Sequence, residues 1–408
     1  MEFYVDPVDD TVLIDGLLRG IHAGAVDSGL LPLDADILDA APLRYVHNAD
    51  RDWNQLAARY DIFVSKVSSR LGPDEVAQAA ARGMLGALND DHTTFLDPRA
   101  VEAQRSRGYM GIGVTLSMPE QQGFPIVRET LPGSPAERSG LRVGDTILLI
   151  DGRSTSSLKL SEAVDQIRGP DGSEVTVQVT SVDDPAPREM TMVRAPVRLL
   201  PVQAEARGSV AYIRIRNFQD GVADAVVSAM RQSLSIGVQG WVFDLRGNGG
   251  GSIQEVVTLA SLFVGDQVIG YQVDRTGRRT PIVGTGPAVS PLLPTVVLVD
   301  GETGSGSEVF AAAMREYRLA KVIGTRTAGR VGLAQVLALP DGSAAQITTR
   351  RILAASGDRL DGVGVDPEET ISAAVSDWVQ GNDPPFDRAQ ALIAEMAGRS
   401  AVPAGSGI

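Results

Sequence analysis

The chain has no cysteine, which excludes disulfides, a thiolate nucleophile and any cysteine-ligated metal. It leaves the compartment open, because a cysteine-free protein works in reducing and oxidising surroundings alike. Lysine is nearly as scarce, at Lys66, Lys159 and Lys321 alone, so almost all positive charge is arginine. The histidines, His22, His47 and His92, are too scattered for a metal-ligand spacing. No apolar run reaches the roughly 18 residues that a membrane-spanning helix needs. No Walker-type phosphate loop is present. The formal charge of −14 argues against nucleic acid or an anionic membrane surface as a partner. The opening MEFYVDPVDD has neither the basic nor the apolar region of an export signal.

What remains is ordinary globular composition, 43% hydrophobic and 22% charged, over 408 residues, enough for two or three domains. Residues 1 to about 106 read as helical. Val12, Leu13, Leu17, Leu18 and Ile21 share one face behind a cap at Asp9 or Asp10, and Val76, Ala80 and Met84 share another within 73–88. LLRGI (17–21) and AARGM (80–84) look alike, as a weak duplication or as two helices with the same job. A polar loop with His92 follows at 88–98. From 209 onward strands and helices alternate: strand 209–216, helix 222–234 with Val226, Met230 and Leu234 inward, strand 240–245, a helix marked by Val256, Leu259, Ala260 and Phe263, then strand 321–324. This pattern predicts an α/β core with a largely parallel sheet. A β-rich run follows at 335–353 with a turn at Pro340-Asp341-Gly342, then helix pattern to Met396 and a polar tail.

Chemistry concentrates at 295–308, TVVLVDGETGSGSE. A strand gives way to a glycine-framed serine and then an alanine-rich helix, an arrangement of the nucleophile-elbow type. The glycines permit the turn, and the helix start offers free N–H groups to an oxyanion. The same residues also suit a plain Gly/Ser loop that caps a helix. DLRGNGGG at 244–251 ends a buried strand with glycines that bring backbone N–H groups close to a ligand.

These stretches, with MGIGVTL (110–116) and LPGSPAERSGLRVGDTILLIDG (131–152), resemble the carboxyl-terminal-processing (tail-specific) serine proteases over roughly residues 1 to 375. The resemblance implies a multi-domain α/β protein. It would comprise a helical N-terminal region (1–106), a PDZ-like β-barrel with helices (107–196), a crotonase-like ββα serine protease core (197–385), and a C-terminal helix end with a flexible tail (386–408). It assigns Ser305 as nucleophile, with N–H groups of Gly306 and Gly250 as oxyanion donors and Gly249 as rival to Gly250. Asp244 and Arg246 would brace the loop. Gly111, Ile112, Gly113 and Val114 would bind a peptide's terminal carboxylate and accept the peptide as an added strand. Substrates would be proteins with free C-termini, with no metal and no cofactor. Family members are usually exported; an exported protein whose signal segment is absent from this chain, a cytoplasmic protein and a homo-oligomer all stay open.

One departure matters. The family's general base is usually a lysine about 25 residues after the serine, and that position holds Arg330, in TRTAGRVG at 325–332. Arginine does not deprotonate in proteins. Gln335, resembling an assisting glutamine, comes one residue late. Three accounts follow: a triad of Ser305, His92 and Asp361, as in tricorn-like relatives; a pseudoprotease that binds C-terminal tails without cutting them; or another base. His22 and His47 read as structural or solvated. A carrier of apolar ligands is a third functional reading.

Overall fold

A computed structural model describes residues 4–27, 49–67, 71–105, 109–118, 123–197, 200–290 and 293–400; His47 and the tail 401–408 lie outside them. The chain forms two compact units. The first comprises Met1–Ser106, Gln272–Thr280 and Gly332–Ile352, the second Arg107–Tyr271, Pro281–Val331 and Leu353–Ile408.

In the first unit the helices Asp10–Asp27 and Pro73–Gly86 pack together. Asp9 supplies the cap, its carboxylate accepting from the Thr11 N–H at 2.9 Å. The look-alike segments are explained by contact: a Cβ on Gly20 would fall 2.8 Å from the Cα of Gly83, so two glycines let the backbones approach. Val12, expected on the buried face, is 40% exposed; Leu13 and Ile21 are buried as expected, joined by Ile14 and Ala25. Met84 is only half-buried, and Leu85 takes the inner place. Strands Gly332–Ala338 and Ala344–Ala354 form the expected hairpin, and Thr94–Leu96 adds to Ala344–Ala354 antiparallel.

In the second unit, strands Val114–Ser117, Ile126–Thr130, Thr146–Ile150, Glu174–Thr180 and Arg188–Val193 form one sheet in that order. Its apolar face closes over Ile112, Val127, Ile147, Val177 and the helix Leu160–Ile167. A second sheet runs Val202–Arg207, Val210–Ile215, Gly240–Asp244, Thr295–Val299, Lys321–Gly324, Glu369–Thr370. It is parallel except at its first pair. Gly240–Asp244 and Thr295–Val299 are buried at every position, as a sheet covered on both faces demands. Phe243 meets Phe263 and Phe310 on one side. On the other, Val242, Val296 and Leu298 meet Phe386, Leu392 and Ile393 of the helix Pro384–Ser400. The helix, most of which was expected to lie beyond the core at 386–408, therefore covers one apolar face of its sheet. Leu234, expected inward, is 38% exposed; Ser233 is turned in, with its hydroxyl bonded to the Ala229 carbonyl.

Candidate active site

Ser305 sits between the strand Thr295–Val299 and the helix Gly306–Glu316 with φ 54° and ψ −122°. A non-glycine residue held there stores strain and persists only where its surroundings over-determine it. The Ser305 N–H donates both to the Arg330 carbonyl at 2.8 Å and to Glu308 Oε2 at 2.9 Å. The Gly306 N–H, at the helix start, donates to no described residue.

Glu308 holds this geometry and was not among the expected site residues. It is fully buried. Its Oε1 accepts from the Thr327 hydroxyl (2.6 Å) and Gly329 N–H (2.8 Å), and its Oε2 from the N–H groups of Ser305 and Arg330 (3.0 Å). Burial pushes the Glu308 carboxyl up; the four donors pull against it without cancelling it. The sequence signal was available, since Ser-x-x-Glu at a helix start is the capping-box pattern.

The DLRGNGGG loop lies directly against the serine. A Cβ on Gly250, at φ 100°, would meet Ser305 Cβ at 2.6 Å and the Gly306 nitrogen at 2.8 Å, so only glycine fits. Its N–H, expected to face an oxyanion, instead donates to Asn248 Oδ1 at 2.9 Å. The Gly249 N–H donates to no described residue. The loop's root is ionic. Arg246 donates to Asp244 at 2.9 and 2.7 Å and to Asp383 at 2.7 Å twice, and the Tyr212 hydroxyl donates to Asp244 at 2.6 Å. Burial alone would raise the Asp244 carboxyl; the Arg246 guanidinium outweighs it and holds the group well below the usual carboxylate range. The expected bracing role of Asp244 and Arg246 fits this, and Asp383 extends it.

Arg330 serves this region through its backbone. Its guanidinium turns to Glu302, at 3.8 Å. Asp361 Oδ1 accepts from the Val331 N–H at 3.3 Å. Ser305, Gly250, Gly306, Arg330 and Asp361 thus lie in the second unit, whereas His92 and Gln335 belong to the first. There, the His92 ring lies against Gly332, whose added Cβ would come 3.0 Å from Cδ2. The His92 Nε2 is buried with no hydrogen-bond partner among the described residues. Gln335 is exposed. Among the described residues no cluster of histidine and carboxylates could hold a metal ion, and no helix is long and apolar enough to cross a membrane.

In the loop 111–114, the carbonyls of Ile112 and Gly113 accept from Ala136 and Leu131, while the Ile112 and Gly113 N–H groups donate to no described residue. Gly113, at φ 78°, has no room for a side chain, since a Cβ would fall 2.3 Å from that of Ser134. Val114–Ser117 is the edge strand of its sheet.

Comparison with known proteins agrees with this layout. The model of peptidase family S41 matches residues 209–371, and that of the PDZ domain residues 100–180. The carboxyl-terminal-processing protease of Picosynechococcus sp. is 30% identical over 73% of this chain and 73% of its own. That of Synechocystis sp. is 29% identical over 80% and 78%. The solved structure of a photosystem II D1 C-terminal processing protease is 26% identical, with a TM-score of 0.59 over 77% of this chain and 87% of that one. With the PDZ model matched before the S41 model and a curated relative 30% identical over 73% of both chains, the chain belongs to the carboxyl-terminal-processing serine proteases of peptidase family S41.

Proposed function

We propose that Ser305 is the nucleophile of this serine protease and that the PDZ domain presents substrates to it by their free C-termini. The observation that carries the first part is the strained Ser305 with the Gly250 Cα beneath it and the unbonded Gly306 N–H beside it. The Ser305 Oγ attacks the peptide carbonyl carbon while a base takes its proton. The resulting oxyanion accepts from Gly306 and from one N–H of the Gly249–Gly250 pair; the N–H of Gly250 must first leave Asn248. The tetrahedral intermediate expels the amine, which receives the proton, and water then releases the acyl group from Ser305.

Arginine cannot be that base, so we assign His92, with Asp361 orienting its imidazole. The unpartnered Nε2 of His92 supports this reading. Gln335 is exposed, and this triad leaves it without a catalytic role. The free N–H groups at Ile112 and Gly113 suit a terminal carboxylate, and the open edge strand suits an added peptide strand. We place the protein outside the cytoplasm, as is usual for the family.

The test is labelling with a fluorophosphonate, alongside cleavage of peptides that differ only in a free or amidated C-terminus. The wild type should label and cut the free form faster. Ser305→Ala and His92→Ala should do neither. A wild type that neither labels nor cuts, yet binds tails, would make it a pseudoprotease; labelling that survives His92→Ala would remove His92 as base.

A further inference from the structure

The PDZ strand Ile126–Thr130 pairs antiparallel with the edge strand Val114–Ser117: Val114 faces Thr130, Thr115 faces Glu129, and then Leu116 faces Val127. Arg128 is the extra residue of a β-bulge. In a regular strand neighbouring side chains point to opposite faces; a bulge breaks that alternation and re-aims a side chain. Here both Arg128 and Glu129 reach the protease core, and each holds a different half of the site.

Arg128 donates to Asp300 Oδ2 at 2.6 Å, with the two side chains only 15% and 17% exposed. It also lies over the Trp378 ring, 5.3 Å from the centroid. The other oxygen of Asp300 accepts from the Gly247 N–H (2.9 Å), the Glu302 N–H (3.1 Å) and the Thr303 hydroxyl (3.2 Å). One carboxylate thus ties the DLRGNGGG loop to the turn that leads into Ser305. Glu129 accepts from Arg216 at 2.7 and 2.8 Å and from Arg214 at 3.1 Å. Arg216 leads into Phe218, whose N–H donates to the Gly250 carbonyl at 2.9 Å and whose carbonyl accepts from Ser252 at 2.7 Å.

We propose that Arg128 and Glu129 are positioning residues, through which the bulged PDZ strand sets the serine turn and the glycine loop together. The strand they occupy is hydrogen-bonded to the edge on which a peptide would add, so whatever moves that edge is felt by both loops. The proposal rests on Ser305 as nucleophile for its effect on rate, but not for its effect on structure.

Two readouts therefore test it in the full chain. Amide hydrogen exchange at Gly247 and Glu302 should quicken about tenfold in Arg128→Ala and return close to wild type in Arg128→Lys. Exchange at Phe218 and Ser252, the two amides of that link, should quicken in Glu129→Gln. With a cleavable tailed peptide, Arg128→Ala should lower kcat about tenfold while KM and the affinity for an uncleavable tail stay within about twofold. Unchanged exchange at these two amides would overturn the proposal, as would a lysine variant no better than alanine, or a loss confined to KM. If the wild type proves inactive the assignment of Ser305 fails, and the exchange result still decides this one.

Discussion

Two loops flank Ser305, and they are held by different physics. The loop at 244–251 hangs from buried side-chain charge: Arg246 donates to both Asp244 and Asp383, and the Tyr212 hydroxyl donates to Asp244. The loop at 325–331 hangs from Glu308, which takes a hydroxyl and backbone N–H groups and asks nothing of the Arg330 side chain. The difference leaves the side chain at position 330 free to vary without disturbing Ser305. Residue 330 contributes its N–H to Glu308 and its carbonyl to Ser305, and every residue except proline has both. No comparable freedom exists at 244 or 246.

The largest effect is expected where charge is buried. Arg246→Ala strands the Asp244 carboxylate in the core and should cost about 3–5 kcal/mol, read from urea unfolding. Glu308→Ala should cost somewhat less, on the order of 1–3 kcal/mol for the donors left without an acceptor. It should also abolish labelling of Ser305, because the strained backbone loses a hydrogen bond that fixes it. If labelling persists, the second loop does not hang from Glu308.

Acid should separate the two loops by sign. The native Asp244 carboxyl titrates below its unfolded value, so its contribution is present at neutral pH and is lost as pH falls below about 4. The native Glu308 carboxyl titrates above its unfolded value, so its contribution is full below about 4.3 and is lost as pH rises through the folded value. Thermal melts from about pH 3 to 6 should therefore show a shallower acid-side loss in Asp244→Asn and a steeper one in Glu308→Gln than in wild type. Parallel curves would break the comparison.

The smallest effect is expected at the altered position. Arg330 is more than a third exposed and reaches Glu302 only at 3.8 Å. Arg330→Ala should change stability by no more than about 0.5 kcal/mol and leave Ser305 labelling in place. A variant that unfolds or stops labelling would mean that the guanidinium, not just the backbone, supports the site.

Much of this was legible beforehand. The PDZ and core motifs are local, and so are the alternating strand and helix patterns that set the parallel sheet. Misjudged positions were those where a step of one residue, about 100° round the helix, decides the face: Val12 and Leu234 are apolar but turn outward, while the adjacent Leu13 and Ser233 are buried. The partner of the Gly250 N–H on Asn248 was not legible for a related reason, since it depends on a loop conformation that spacing does not give.

Residue order alone determined the family, the serine at the strand-to-helix turn and the arginine at position 330, because each is a matter of which side chains exist and how far apart they lie along the chain. Tertiary structure decided what holds them. Glu308 meets residues 327–330, Asp383 meets Arg246, and Arg128 meets Asp300 across 172 positions of sequence. Such pairings depend on where folded backbones approach, and a buried charge is tolerated only where its partners converge in space.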